Sequence, residues 1–257
     1  RQRMEIPRTG ESATIRQLCR YLETIYLMAS MNGIKHVSFD LWLTLIQSNP
    51  EFKPLRNKLF AKHFAVQKTD EEVAMAFRHF DILFNQINER AGGNLHYTEM
   101  LYVILDNLGV PIAQVADEAM MSYYKDMEKL FYNFHPQLID AQTIAVLKSL
   151  QDKGCSINIL SNTGFIVGAT LRPLLGILKI AEYFDFQLYS DEMGSSKPSL
   201  KVYNEVFIES NKIKALEKDN ILHLGDNVIA DVQGAAQYGF RSAIIDRTNT
   251  LSKIFLN

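Results

Sequence analysis

The sequence is poor in cysteine. Cys19 and Cys155 lie far apart, and neither belongs to a CxxC or Cys/His pattern. This argues against a disulfide framework or a cysteine-ligated zinc site. The N-terminal region also lacks the apolar stretch and small-residue cleavage site of a secretory signal. We therefore expect two reduced core thiols and a cytoplasmic protein.

Other patterns are missing as well, and each absence removes a class of function. No apolar run approaches the ~20 residues that a membrane-spanning helix needs. There is no run of Lys and Arg, and the formal net charge is only −2, so we expect neither nucleic acid nor membrane as a partner. The glycine patterns GxGxxG and GxxxxGK[ST] are absent, which argues against dinucleotide-binding and P-loop enzymes.

Alternating strand and helix patterns are present after Pro136. The 257 residues suffice for one large domain or for a core with a smaller second domain. Strands are predicted near 155–160, 185–189, 220–224 and 241–246, and helices near 138–151, 166–180, 199–210 and 229–238. This alternation predicts βαβ units, and hence an α/β fold with a doubly wound parallel sheet.

A helical block interrupts this alternation directly after the first predicted strand, 34–40. Residues 48–136 carry apolar stripes at helical spacing, broken at Ala91-Gly-Gly-Asn94. We interpret the block as an inserted all-α domain. The predicted units are an N-terminal helical extension (1–33), an α/β core (34–47 and 137–257) and the insertion (48–136). The apolar stripe at 11–31 needs a partner surface, either its own core or a twin subunit, so a homodimer is left open.

Polar residues follow several of the predicted strands. Asp40 ends an apolar run, and a carboxylate at the end of a buried strand is costly unless it has partners. The carboxyl ends of strands in open α/β sheets are also where ligands bind. Candidate partners are Thr44, Ser161, Lys197, Asp226 and Asp231. An Asp nucleophile with a hydroxyl, a Lys and an acidic pair suits phosphoryl transfer assisted by a hard metal ion.

Four segments, in this order, resemble the motifs of the haloacid dehalogenase (HAD) superfamily. They are Phe39-Asp40-Leu-Trp-Leu-Thr44, Ile159-Leu-Ser-Asn-Thr163, Ser190-Asp-Glu-Met-Gly-Ser-Ser-Lys197-Pro198 and Leu224-Gly-Asp226-Asn-Val-Ile-Ala-Asp231. The resemblance covers about residues 34–247. It implies a Rossmann-like core, and the helical block matches the family's cap, which is inserted after the first motif.

The resemblance also implies a role for each motif residue. It predicts Mg²⁺-dependent hydrolysis of a small phosphorylated metabolite through an aspartyl-phosphate on Asp40. The implied catalytic residues are Asp40, Ser161 and Lys197, and the implied phosphate contacts are Thr44, Ser161, Asn162 and Lys197. The implied Mg²⁺ ligands are Asp40, the backbone carbonyl of Trp42, Asp226 and Asp231. Asp226 is expected to bind directly, whereas Asp231 either binds or orients Lys197. Candidate anion contacts from the cap are Arg56, Lys58, Arg78, His79 and Arg90, with none preferred.

Trp42 departs from the pattern of the family's phosphatases, which carry an acid/base Asp at this position. Such a group contributes ~10²–10⁴-fold to the rate, and an indole cannot replace it. Three interpretations remain open: a phosphatase that works without this acid, a 2-haloacid dehalogenase-like hydrolase, and a weakly active or inactive binding protein. The pair Asp226 and Asp231 weakens the second, because an added carboxylate would repel a haloacid. The other retained motif residues weaken the third.

Overall fold

The computed structural model describes residues 32–256. The helix predicted at 11–31 and Cys19 lie outside these residues, so both expectations stay predictions. Cys155 is partly buried, with its thiol near the carbonyl of Ile34. No helix within residues 32–256 is long and apolar enough to cross a membrane.

A parallel sheet of five strands forms the centre of the fold, in the order β5-β4-β1-β6-β7. The strands are β1 (His36–Phe39), β4 (Ser156–Ser161), β5 (Phe186–Tyr189), β6 (Ile221–Gly225) and β7 (Arg241–Ile244). Phe39 lies opposite Ile159 on one side and Leu224 on the other. Because the three central strands are in register, Asp40, Ser161 and Asp226 come to the same edge of the sheet.

Ten α-helices accompany the strands within the described residues. They are α1 (Phe52–His63), α2 (Asp70–Ala91), α3 (Tyr97–Asn107), α4 (Asp117–Asn133), α5 (Thr143–Asp152), α6 (Gly168–Ile177), α7 (Ser190–Met193), α8 (Leu200–Ile213), α9 (Gly234–Tyr238) and α10 (Leu251–Phe255). A π-helical segment, Val228–Gln233, precedes α9. The sequence predicted one regular helix over residues 229–238, where the structure has this π-helical segment followed by α9.

Helices cover both faces of the sheet. On one face, Leu147 of α5 and Phe255 of α10 belong to the same buried cluster as Val37 and Phe39. On the other face, Val206 of α8 joins a second cluster. Burying apolar surface on both sides is the main stabilising contribution in such a layered fold. The prediction of a helix-flanked parallel sheet is confirmed.

Helices α1 to α4 occupy the chain between two short strands, β2 (Ile46–Gln47) and β3 (Gln137–Leu138), which pair antiparallel. This pair, which the sequence did not predict, brings the two ends of the helical insertion together. Helix α2 begins at a capping box between Thr69 and Glu72 and ends at Gly92, whose φ of 66° is left-handed. The predicted break at Ala91-Gly-Gly-Asn94 is thereby confirmed, whereas the exact domain boundaries stay predictions.

Candidate active site

Asp40 lies at the end of β1 and is only 6% exposed. Its backbone N–H donates to the carbonyl of Leu224 at 2.8 Å, which ties it to β6. The hydroxyl of Thr44 donates to Oδ2 at 3.0 Å, and Nζ of Lys197 donates to Oδ1 at 2.7 Å. The fully buried Thr44 and Lys197 therefore fix one carboxylate oxygen each.

Lys197 is buried and hydrogen-bonded through both its side chain and its backbone. Its ammonium donates to Asp40 and, at 2.6 Å, to Oδ1 of Asp231, and only 2% of the residue is exposed. The side chain of Asn162 accepts from the backbone N–H of Lys197 at 2.8 Å and donates to its carbonyl at 3.0 Å. Asn162, from the second motif, thus fixes the backbone of the loop that carries Lys197, from the third motif.

Asp231 uses both carboxylate oxygens within the protein. Oδ1 accepts from Lys197 and, at 3.1 Å, from Nε2 of His223, and Oδ2 accepts from the backbone N–H of Asn227 at 3.0 Å. The carboxylate packs so closely against Gly225 that a Cβ there would lie 2.1 Å from it. This arrangement fits the expected role of orienting Lys197 better than direct metal binding.

Burial and charge set the protonation of the three carboxyl groups. Burial raises the pKa of Asp40 to about 7, although the nearby Lys197 opposes this shift. Burial and the proximity of Asp231 raise the pKa of Asp226. Burial alone would also raise the pKa of Asp231, but Lys197 and the hydrogen bond from His223 outweigh it and hold that pKa well below its usual range. The site therefore concentrates negative charge that one ammonium does not fully offset.

The acidic cluster suits a hard divalent cation. Asp40, Asp226 and Asp231 each offer a carboxylate oxygen, and these oxygens lie within 4.8 Å of one another. Asp226 is partly exposed, unlike the other two. Oxygen ligands and one or two carboxylates are what Mg²⁺ usually takes from a protein. The predicted contribution of the Trp42 carbonyl stays a prediction.

Ser161 is the last residue of β4 and is almost fully buried. Its hydroxyl donates to the carbonyl of Asn162 at 3.2 Å. Asn162 hydrogen-bonds the backbone of Lys197, and Ser161 ends the strand that pairs with β1, the strand before Asp40. The predicted contacts of Thr44, Ser161, Asn162 and Lys197 with phosphate stay predictions. Of the four, Thr44 already donates its hydroxyl to Asp40.

A cavity of about 280 Å³ separates this part of the core from the helical insertion. Trp42, Asn162 and Phe165 line it from the core side, and Phe52, Lys53, Arg56, Asp81 and Asn85 line it from the insertion. The partly buried indole of Trp42 also packs against the apolar core. Trp42 therefore forms part of the wall of the candidate substrate cavity.

One contact of the helical insertion and the burial of one of its arginines were not predicted. Glu89 near the end of α2 accepts a 2.7 Å hydrogen bond from the side-chain amide of Asn227 in the fourth motif. Arg56 is buried, whereas Lys58, Arg78, His79 and Arg90 are exposed. The helical spacing of Phe52, Arg56 and Phe60 places all three on one face, and this pattern could have identified the arginine. The buried His223 of β6 forms a 3.0 Å hydrogen bond with Ser38 as well as its bond with Asp231.

Comparisons with known proteins agree with this geometry. The family model of haloacid dehalogenase-like hydrolases matches residues 34–239. An uncharacterized hydrolase of Schizosaccharomyces pombe is 25% identical over 232 residues, which cover 88% of this chain and 96% of that protein.

Solved structures show the same fold. A HAD-type hydrolase of Bacillus subtilis, solved with bound magnesium, superposes with a TM-score of 0.61 at 20% identity and covers 81% of this chain and 87% of its own. L-2-haloacid dehalogenase of Xanthobacter autotrophicus gives a TM-score of 0.56 at 20% identity, covering 83% and 78%. The fold and the motif residues are thus those of a hydrolase with a Rossmann-like α/β core. The chain belongs to the haloacid dehalogenase-like hydrolases.

Proposed function

We propose that the protein is a Mg²⁺-dependent phosphatase that hydrolyses a small phosphorylated metabolite through Asp40. One observation carries the proposal, namely the cluster of Asp40, Asp226 and Asp231, in which the ammonium of Lys197 bridges Asp40 and Asp231. Phosphoryl transfer needs an in-line nucleophile beside dense positive charge. Lys197 and a cation held by Asp40 and Asp226 would supply that charge.

The proposed reaction has two displacements at phosphorus. An oxygen of Asp40 attacks, the bond from phosphorus to the ester oxygen breaks, and an aspartyl-phosphate forms. Water then attacks phosphorus, the bond from phosphorus to Asp40 breaks, and inorganic phosphate leaves with both hydrogens of that water, one of which it can pass to the solvent. Lys197 lies 2.7 Å from Asp40 and stabilises the negative charge of the phosphoryl oxygens. Bound Mg²⁺ would add charge neutralisation for the same oxygens.

The leaving group needs a proton unless it is a stable anion, and the indole of Trp42 cannot donate one. We therefore propose that good leaving groups, such as acyl or aryl phosphates, are hydrolysed more readily than alkyl phosphates. A screen of phosphorylated metabolites with and without Mg²⁺ tests the proposal. Metal-dependent release of phosphate from at least one small ester supports it, and activity indifferent to a chelator contradicts it.

Dehalogenation of 2-haloacids is the second candidate, and the aromatic Trp42 is the observation that favours it. The acidic cluster weighs against it, because Asp226 adds a carboxylate beside Asp40 that would repel an anionic haloacid. Incubating the protein with 2-haloacids in the presence of a chelator separates the two candidates. Release of halide without metal would favour dehalogenation.

A further inference from the structure

Arg56 is a buried cation without a buried counter-ion. The residue is 7% exposed on the inner face of α1. None of the ion pairs among residues 32–256 includes it. Its Nε and Nη2 both donate to the neutral side-chain oxygen of Asn57, at 3.1 and 2.8 Å. Burying an unpaired charge costs free energy, so an anionic ligand that pairs with this arginine would be stabilised.

Two aromatic rings hold the guanidinium in place. Its central carbon lies 4.0 Å from the ring centre of Phe77 in α2 and 5.4 Å from that of Phe165 in the core. These cation–π contacts, together with Asn57, leave little freedom to the side chain. Since Arg loses less entropy on binding when its planar group is already oriented, this geometry suits recognition of a carboxylate or phosphate.

The arginine is part of the wall of the candidate substrate cavity. It lines the 280 Å³ space together with Asn162 and Trp42, residues of the motifs that surround Asp40. Of the charged residues in that lining, Lys53 and Arg56 are cations and Asp81 is an anion. Asp81 lies 3.9 Å from Lys53. The charged side chains of this lining therefore sum to a net positive charge.

We propose that Arg56 binds a second anionic group of the substrate within this cavity. This inference rests on the proposed function, and it narrows the substrate class to small phosphate esters that also carry a carboxylate. A carboxylate matches the planar guanidinium, and the small cavity leaves room for a compact molecule.

A matched pair of unreactive ligands tests the inference without turnover. Phosphonoacetate carries a carboxylate where ethylphosphonate carries a methyl group. The binding of each can be measured by calorimetric titration at a fixed concentration of free Mg²⁺. We expect phosphonoacetate to bind wild-type protein about tenfold to a hundredfold more tightly, the size of effect that a hydrogen bond to a charged group produces. Equal affinities would overturn the inference and leave the phosphate site intact. Failure of both ligands to bind would overturn the phosphate site as well.

Two substitutions assign the effect to the residue. Arg56→Met keeps an apolar stem over Phe77 and removes the charge, so the preference for phosphonoacetate should vanish while ethylphosphonate binding is unchanged. Lys62→Met is the matched control and should keep the preference, because Lys62 is an exposed cation on the same helix as Arg56 and does not line the cavity. A preference that survives in Arg56→Met would overturn the role of Arg56. If Arg56→Met does not fold, Arg56→Lys replaces it, with a reduced preference expected because the forked donor is lost.

Discussion

Lys197 donates a 2.6 Å hydrogen bond to Asp231, and both side chains are only 2% exposed. Asp231 also accepts hydrogen bonds from His223 and from the backbone of Asn227. The ion pair therefore does more than join two charges. It fixes the position of the Lys197 ammonium beside Asp40, and it links Lys197 to the loop after β6.

The first prediction concerns this pair. Asp231→Asn removes one of the two counter-ions of a buried ammonium, and losing one partner of a buried pair typically costs about 3–5 kcal/mol. We expect about 3 kcal/mol, since Lys197 keeps its 2.7 Å contact with Asp40. Urea unfolding measures the change. Asp126→Asn, which breaks an exposed pair with Lys129, is the control and should leave the unfolding midpoint unchanged. Equal midpoints for Asp231→Asn and wild type would contradict the structural role.

The second prediction concerns pH and His36, away from the candidate site. His36 is buried between Ser156 and Asn158, and burial lowers its pKa from 6.5 to about 4. Between these values the unfolded chain binds a proton that the folded protein does not, so the folded state loses stability as the pH falls from 6.5 to 4. The shift corresponds to about 3 kcal/mol.

The variant His36→Gln isolates this contribution, because all other titrating groups, including His223, are common to both proteins. Unfolding free energies at several pH values should decline less steeply for the variant than for wild type in the window between the two pKa values. Parallel curves would show that His36 titrates normally in the folded protein.

The third prediction concerns the metal. Asp226→Asn keeps the size of the side chain but removes a charged oxygen ligand, so affinity for Mg²⁺ and metal-dependent hydrolysis should fall together. Calorimetric titration of Mg²⁺ measures the first, and phosphate release measures the second. We expect Asp219→Asn, an exposed substitution elsewhere on the surface, to affect neither. Unchanged Mg²⁺ affinity in Asp226→Asn would remove this residue from the ligand set.

The fourth prediction concerns Trp42. Trp42→Asp restores an acid and a base beside the nucleophile, and hydrolysis of alkyl phosphates should rise, since such a group contributes ~10²–10⁴-fold. The lost indole packs against the core, and truncating a large aromatic costs ~3–5 kcal/mol. Unfolding must therefore be measured beside the rate. A folded variant that is no faster than wild type would show that the missing acid does not limit turnover.

The sequence predicted the centre of the fold because the relevant signals are local. The apolar run before Asp40 and the alternation after Pro136 are each contained in short windows, and parallel strands bring their ends to one edge. The placement of Asp40 and Asp226 at one edge followed from that rule, whereas Lys197 was assigned to the site by the resemblance of its motif. The distances among the three residues were not predicted, because they depend on packing between segments that are far apart in the chain.

The unpredicted features depend on such distant contacts. The β2–β3 pair joins Ile46 to Leu138, and two-residue strands carry no periodicity that could reveal them. The π-helical turn at Val228–Gln233 is set by hydrogen bonding around Asn227, which composition does not encode. Arg56 was named as a candidate anion contact, but it was not distinguished from the four candidates that are exposed. A charged residue is normally expected at the surface, and only its helical spacing from Phe52 and Phe60 indicates that it is buried.

The most direct test of the account is to trap the phosphoenzyme. Wild-type protein and Asp40→Asn are mixed with Mg²⁺ and an aryl phosphate, quenched in acid within milliseconds to seconds, and examined by mass spectrometry of peptides. We predict a phosphorylated peptide that contains Asp40 in wild type, sensitive to hydroxylamine as an acyl phosphate should be, and none in Asp40→Asn. Phosphate release that continues in folded Asp40→Asn, or a phosphoryl group on another residue, would contradict the account.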